Sequence, residues 1–452
     1  MKKVSTGVAL LDKLLGGGFS EGSTIVVAGP PGTGKTIFSM AYLSKLEDGI
    51  GMRISLNEDS KAFLEFSSML GYACKKLYEE KKLKLIDLFP TRKELFEQAV
   101  RYIVDEIEKY NVKKLVVDSF TAFIQHVDSS SEVRNFIQST INNIIRRKGV
   151  TSLLIVESPI GIESIGFSIE EFAADGVLMF KKRIYEGRLL RELEIEKMRG
   201  TLIEYPRWFF TLRGGFNMLG KSSMIEGRRR EFKVVKLGKG LYSSGITTLD
   251  EIVGGGFRRG SIVLFEIGSN AAPSDFAPIL EAQIINFLKQ RYFTFVLPPL
   301  TMDPDRLREE LSQYVDKEVL EKYFVTTCPM FTEEGGKEIA LDMMFRDLTK
   351  EEGAHYLWMV DWDSAEEIYG HKKLIKQLTK AFVAERGKNF LIFLIVRETD
   401  PAINELSSFS SYHLKVDNME GTPFIYGIKP YTGFYGIESG GDLTDIKLIE
   451  VV

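Results

Sequence analysis

The stretch Gly29-Pro30-Pro31-Gly32-Thr33-Gly34-Lys35-Thr36 reads G-x-x-x-x-G-K-[ST], the pattern of a glycine-rich phosphate cradle. An apolar, β-branched run, Thr24-Ile25-Val26-Val27-Ala28, stands directly before it, and a helix-compatible stretch from Lys35 to Leu46 follows. Strand, glycine loop and helix form the context in which such a loop binds phosphate. Glycines let backbone N–H groups turn toward the phosphates, and the helix N-terminus adds the positive end of its dipole. In this reading residues Gly29 to Thr36 bind a nucleoside triphosphate. The Lys35 ammonium neutralises β- and γ-phosphate charge, and the Thr36 hydroxyl sits on Mg2+.

Outward from the loop, the bulk of the chain sets few restrictions. It has 452 residues, enough for two or three domains. Hydrophobic residues make up 44% and charged residues 27%, the balance of a soluble globular protein. With 59 basic and 63 acidic side chains the net charge is −4, so no global basic field advertises nucleic acid or a membrane surface. The two cysteines, Cys74 and Cys328, lie far apart, which argues against a disulfide framework and fits a reducing cytoplasm. No apolar run approaches the roughly 18 residues of a membrane span, and Met1-Lys2-Lys3-Val4 leads straight into fold-like sequence. A cytoplasmic location is expected.

The chain repeats itself. Ser5 to Ser23 and Ser243 to Ser261 share Ser5, Gly7, Leu11, Asp12, Gly16, Gly17, Gly18, Phe19, Gly22 and Ser23 at an offset of 238 residues. A period this long means two domains and not a solenoid. Continuous apolar runs recur in both halves: 114–118 and 357–361, then 152–156 and 390–396. Such runs suit strands buried on both faces, with amphipathic helical stretches between them. The expected class is α/β, each domain a mostly parallel sheet flanked by helices. Domain one is placed at 1–222, a Ser-, Gly- and charge-rich linker at 223–239, and domain two at 240–452.

At the repeat offset Gly29, Gly32, Gly34, Lys35 and Thr36 become Ile267, Asn270, Ala272, Pro273 and Ser274. Proline supplies neither the charge nor an N–H, so the second loop is not expected to hold a triphosphate. In the first half, Asp118 ends an apolar run and can hold Mg2+ opposite Thr36. Hydrolysis needs a group that orients and deprotonates water. Ile54-Ser55-Leu56-Asn57-Glu58-Asp59 should end the second strand, and Glu58 is the candidate base, with Asp59 the alternative. In Leu190 to Arg199, apolar Leu193 and Ile195 alternate with glutamates, as in a half-buried strand. Lys197 and Arg199 would then share a face, as a solvated edge or as a charge finger on a neighbouring subunit's γ-phosphate.

Together, Gly7…Leu11-Asp12…Gly16-Gly17-Gly18, the loop and Val117-Asp118-Ser119 resemble the RecA superfamily. Ile169-Glu170-Glu171-Phe172…Asp175-Gly176-Val177, Arg191…Leu193-Glu194-Ile195-Glu196-Lys197-Met198-Arg199-Gly200-Thr201 and Glu204-Tyr205-Pro206 favour its KaiC-like branch. The resemblance implies two tandem RecA-like domains, the second degenerate, with ATP and Mg2+ bound between subunits of a homo-oligomeric ring, typically a hexamer. It implies that Lys197 and Arg199 reach across that interface. The expected function is ATP binding and hydrolysis, with nucleotide state controlling ring assembly or an unidentified protein partner, in signalling or regulation. Among the departures, Asn57-Glu58 stands where the family carries two glutamates, so slow turnover is expected, and the second loop removes the ATP that clock-type autophosphorylation needs. A DNA-binding RadA- or RecA-like recombinase is the first alternative. Segments 120–134 and 159–172, where its DNA loops would lie, hold one arginine between them, so nucleic acid is not an expected partner. A gas-vesicle D-type regulator is the second, on the hint of Arg228-Arg229-Arg230. His126, His355, His371 and His413 lack ligand spacing; Arg146-Arg147-Lys148 and Lys181-Lys182-Arg183 read as solvated faces, and Asp361-Trp362-Asp363 as a relic or partner surface.

Overall fold

In the computed structural model the described residues are 2–56, 58–88, 93–124, 147–158, 174–222, 231–326, 353–384, 389–438 and 446–451, with side chains described outside 93–100, 123–124 and 380–384. Chain packing divides them into two compact units, Met1–Leu219 with Val451–Val452, and Gly220–Glu450.

The first unit opens with a small ribbon, β1 (Lys3–Val4) against β2 (Phe19–Ser20), bridged by α1 (Ala9–Leu14). The large sheet follows: β3 (Thr24–Gly29), β4 (Ile50–Ser55), β5 (Leu83–Asp87), β6 (Val112–Asp118), β7 (Thr151–Glu157), β8 (Gly176–Tyr185), β9 (Arg188–Met198), β10 (Arg207–Thr211) and β11 (Asn217–Met218). Helices α2 (Lys35–Ser44), α3 (Ser60–Met69), α4 (Cys74–Glu79), α5 (Lys93–Lys109) and α6 (Phe120–Ile124) connect the strands. The spatial order is β11-β10-β9-β8-β3-β7-β6-β4-β5, with β5 to β8 in that row parallel and β9, β10 and β11 added antiparallel. Every residue of β3 is buried, as a strand with parallel neighbours on both sides requires. Val26, Ala28, Met52, Ile54, Val117, Leu154 and Val156 form a core on one face of this sheet.

The second unit repeats the plan strand for strand. Its ribbon pairs β12 (Leu241–Tyr242) with β13 (Phe257–Arg258). Its sheet contains β14 (Ser261–Ile267), β15 (Phe293–Leu297), β16 (Phe324–Thr326), β17 (Tyr356–Asp361), β18 (Phe390–Arg397), β19 (Tyr412–Met419), β20 (Thr422–Lys429), β21 (Phe434–Glu438) and β22 (Lys447–Val451). The order β16-β15-β17-β18-β14-β19-β20-β21-β22 maps one to one onto the first sheet. Both units are therefore RecA-like α/β sheets. Residues 231–239, assigned to the linker on composition, lie against this second core: Phe232 is buried within it, and Val235 exchanges backbone hydrogen bonds with the Asn286 side chain.

The repeated sequence has a structural cause. Asp12 accepts hydrogen bonds from the Thr6 amide and Ser5 hydroxyl, both at 2.6 Å, and Asp250 does the same for Ser244 and Ser243. Gly7 at φ +82° and Gly245 at φ +83° lie so close to the helix after the loop that a Cβ would meet the Ala41 and Ala282 carbonyl oxygens. The motif docks that helix in both units.

Candidate nucleotide site

The loop leaves the carboxyl end of β3. Gly29, Gly32 and Gly34 have φ of +153°, +74° and +99°, and a Cβ on Gly29 would sit 2.2 Å from the Phe180 carbonyl oxygen. Only glycine permits this close turn. Lys35, 6% exposed, folds back over the loop, its Nζ donating to the carbonyls of Gly29 at 2.7 Å and Pro30 at 2.8 Å. Burial lowers its pKa, while Glu157 and Asp118 pull the other way. A buried cation held by exchangeable carbonyls in a glycine cradle at a helix start fits a phosphate ligand.

Thr36 Oγ1 donates to Asp118 Oδ2 at 3.1 Å, although the two residues are far apart in sequence. The sheet order brings them together, because β7 alone separates β3 from β6. A hydroxyl and a carboxylate oxygen form a donor set suited to a hard cation such as Mg2+. Glu58 follows β4, its backbone tied to Ser55: the Glu58 amide donates to Ser55 Oγ at 3.0 Å, and that hydroxyl donates to the Glu58 carbonyl at 2.7 Å. Burial raises the Glu58 pKa, with Arg53 opposing the rise and Asp118 adding to it. Asn57 lies outside the described residues.

Arg53 was missed by the sequence reading. It sits in β4 with its side chain 0% exposed, and its Nη2 donates to Glu58 Oε2 at 2.6 Å and reaches Asp118 Oδ2 at 3.5 Å. A cation in an otherwise apolar parallel strand was the available signal. Lys182 was missed too. Its Nζ donates to the Pro31 carbonyl at 3.1 Å, which places it on the loop, whereas Lys181 pairs with Glu194 and Arg183 with Glu192. Strand alternation splits what looked like one solvated cluster.

Lys197 and Arg199 are not brought to the loop of their own chain. Lys197 pairs with Val177 at the amino end of β8, and the Arg199 amide donates to the Asp175 carbonyl. That level matches Thr24, five residues below Gly29, roughly 16 Å along the strand. The β8–β9 register slips at Glu196, on the amino side of Lys197, and the strand ends at Met198, one residue before Arg199. Arg199, exposed beyond the strand end, pairs with Asp175 at 3.2 Å. Segments 125–134, 159–173 and 223–230, with His126, Arg146 and Cys328, lie outside the described residues.

The second unit closes the corresponding place with its own side chains. Glu398 accepts from both the amide and the hydroxyl of Ser269 at 2.9 Å and pairs with Lys415, which holds its carboxyl low, at about 2. Asp275 accepts from the Ala272 amide at 2.9 Å, and Asp361 caps the helix Trp362–Tyr369 through Ser364. Amides and cations that a phosphate would use are thus met by carboxylates.

A family model for the KaiC ATPase matches residues 4–216. The circadian clock oscillator protein KaiC of Thermostichus vulcanus is 29% identical over 279 residues, covering 58% of this chain and 52% of the relative. KaiC 1 of a Synechocystis species is 29% identical over 281 residues with the same coverage, and KaiC of Synechococcus elongatus 29% over 278 residues, 58% and 51%. The chain spans about half the length of the curated relatives it matches. Among the described residues no helix is long and apolar enough to cross a membrane. With its glycine loop, its Thr36–Asp118 pair and this match, the first unit is a KaiC-like domain of the RecA superfamily, followed by a second unit of the same strand order.

Proposed function

We propose that the first unit binds ATP with Mg2+ and hydrolyses it at a seam completed by an adjoining copy of the chain, and that nucleotide state controls ring assembly or binding of a protein partner. The juxtaposition of Thr36 and Asp118 beside the buried Lys35 carries this reading. Backbone amides of residues 32–36 cradle the phosphates, and Lys35 exchanges its loop carbonyls for phosphate oxygens. Thr36 and Asp118 hold Mg2+, which when bound offsets charge on the β- and γ-phosphates. Glu58 orients the attacking water and takes its proton. Lys197 and Arg199, too far from their own loop, act on the γ-phosphate held by the adjoining copy and stabilise charge as the bond breaks. The second unit, its loop closed by Glu398 and Asp275, works as a structural or regulatory layer, which leaves no place for ATP-dependent autophosphorylation there.

The test is size-exclusion chromatography with and without ATP, beside a steady-state phosphate-release assay. Wild type should assemble with ATP and release phosphate, and Lys35→Ala should lose both. A wild-type chain that stays monomeric with ATP and releases no phosphate would overturn the reading.

A further inference from the structure

Arg53 poses a physical question that a phosphate loop alone does not answer. Burying a guanidinium is costly unless it is paired and hydrogen-bonded. Its neighbours in β4, Met52 and Ile54, are ordinary core residues, so packing could be served by an apolar side chain at no such cost. The guanidinium stacks on the Phe63 ring at 4.1 Å, and its Nη2 points between Glu58 and Asp118. Nε and Nη1 have no hydrogen-bond partner among the described residues. The charge is committed to the two carboxylates.

We propose that Arg53 is a positioning residue that clamps the Glu58 carboxylate beside Asp118 and so fixes the base against the metal-holding corner. The inference rests on Glu58 acting on the attacking water. Backbone bonds to Ser55 set where the Glu58 main chain lies, but the carboxylate stands on a loop with its side chain 36% exposed. The 2.6 Å bond from Arg53 is what holds it in one orientation. A rigid planar fork orients a carboxylate better than a flexible ammonium does. Without the guanidinium, Glu58 and Asp118 would face each other as like charges, and Glu58 would swing toward solvent.

The test uses the full chain in four forms besides wild type: Arg53→Met, Arg53→Lys, Glu58→Gln and the double variant Arg53→Met, Glu58→Gln. Methionine keeps the contact with Phe63. Two quantities are read: kcat for phosphate release, and the Kd of a fluorescent ATP analogue with Mg2+, which reports the site without turnover. Arg53→Met should lower kcat about tenfold or more while Kd stays within about threefold, and Arg53→Lys should recover part of the loss. In the Glu58→Gln background, adding Arg53→Met should change kcat less than about twofold, because the clamp has nothing left to hold. Parental kcat in Arg53→Met, or losses that multiply in the double variant, would overturn the clamp. Parental kcat in Glu58→Gln would instead overturn the role of Glu58 itself. Should Arg53→Met fail to fold by circular dichroism, Arg53→Lys in both backgrounds gives the same cycle.

Discussion

Lys114 and its counterpart in the second unit show how a single position can be solved twice. The Lys114 ammonium is buried at the start of β6, donates to the carbonyls of Ser5 at 2.7 Å and Tyr42 at 2.8 Å, and lies over the Tyr42 ring. By sheet register its counterpart is Leu357 in β17, fully buried, and the carbonyl of Ser243, equivalent to Ser5, is met by Gln283 at 2.9 Å and Asn286 at 3.2 Å. Burial pushes the Lys114 amine down to about 7, against the pull of Asp12 and Glu47. A lysine depressed in the folded state contributes stability above its unfolded pKa and loses it as pH falls toward the folded value. Wild type should therefore gain stability relative to Lys114→Leu as pH rises from 7 to 10. Urea unfolding of both proteins across that range would show the gap widening; a constant gap would refute it. At pH 7 the variant should also lose about 1–3 kcal/mol for the stranded Ser5 and Tyr42 carbonyls.

At the scale of elements, the glycine triplet after α1 separates two costs. Gly16 has φ +65° with open space around its missing Cβ, whereas Gly18 has φ +115° and a Cβ there would lie 2.2 Å from the Val4 carbonyl oxygen. Gly16→Ala should cost about 1 kcal/mol, the ordinary left-handed penalty. Gly18→Ala adds a backbone clash that forces β1 from β2, and about 3 kcal/mol or more is expected by chemical denaturation. Equal losses for the two variants would contradict this account. The strands themselves were legible because their apolar runs are continuous, as parallel burial demands. Element ends were less so: Glu196 sits where the β8–β9 register slips, and no periodicity in Leu190 to Arg199 announces that slip.

At the scale of the whole molecule, catalysis is proposed to cross between copies, because Lys197 and Arg199 lie at the far end of the sheet from their own loop. Mixed assemblies give the check. Glu58→Gln and Arg199→Ala chains, each inactive alone, should regain about a quarter to a half of wild-type phosphate release when mixed, since about a quarter of the seams in a randomly mixed ring, and half in an alternating one, join an intact loop to an intact pair of cations. No recovery in a mixture that co-assembles by size-exclusion chromatography would place the cations within one chain.

The α/β class, the duplication and the phosphate loop with Lys35 and Thr36 were all determined by local pattern, since a glycine cradle and a buried parallel strand each leave a mark in contiguous residues. Asp118 was legible as a strand end, but its approach to Thr36 depended on β7 lying between β3 and β6, a matter of sheet order. Arg53 and Lys182 came to light only in the folded chain. Whether a strand cation points at solvent, at a carboxylate or at a loop is set by the face and neighbours that the sheet assigns, and those neighbours lie far away in sequence.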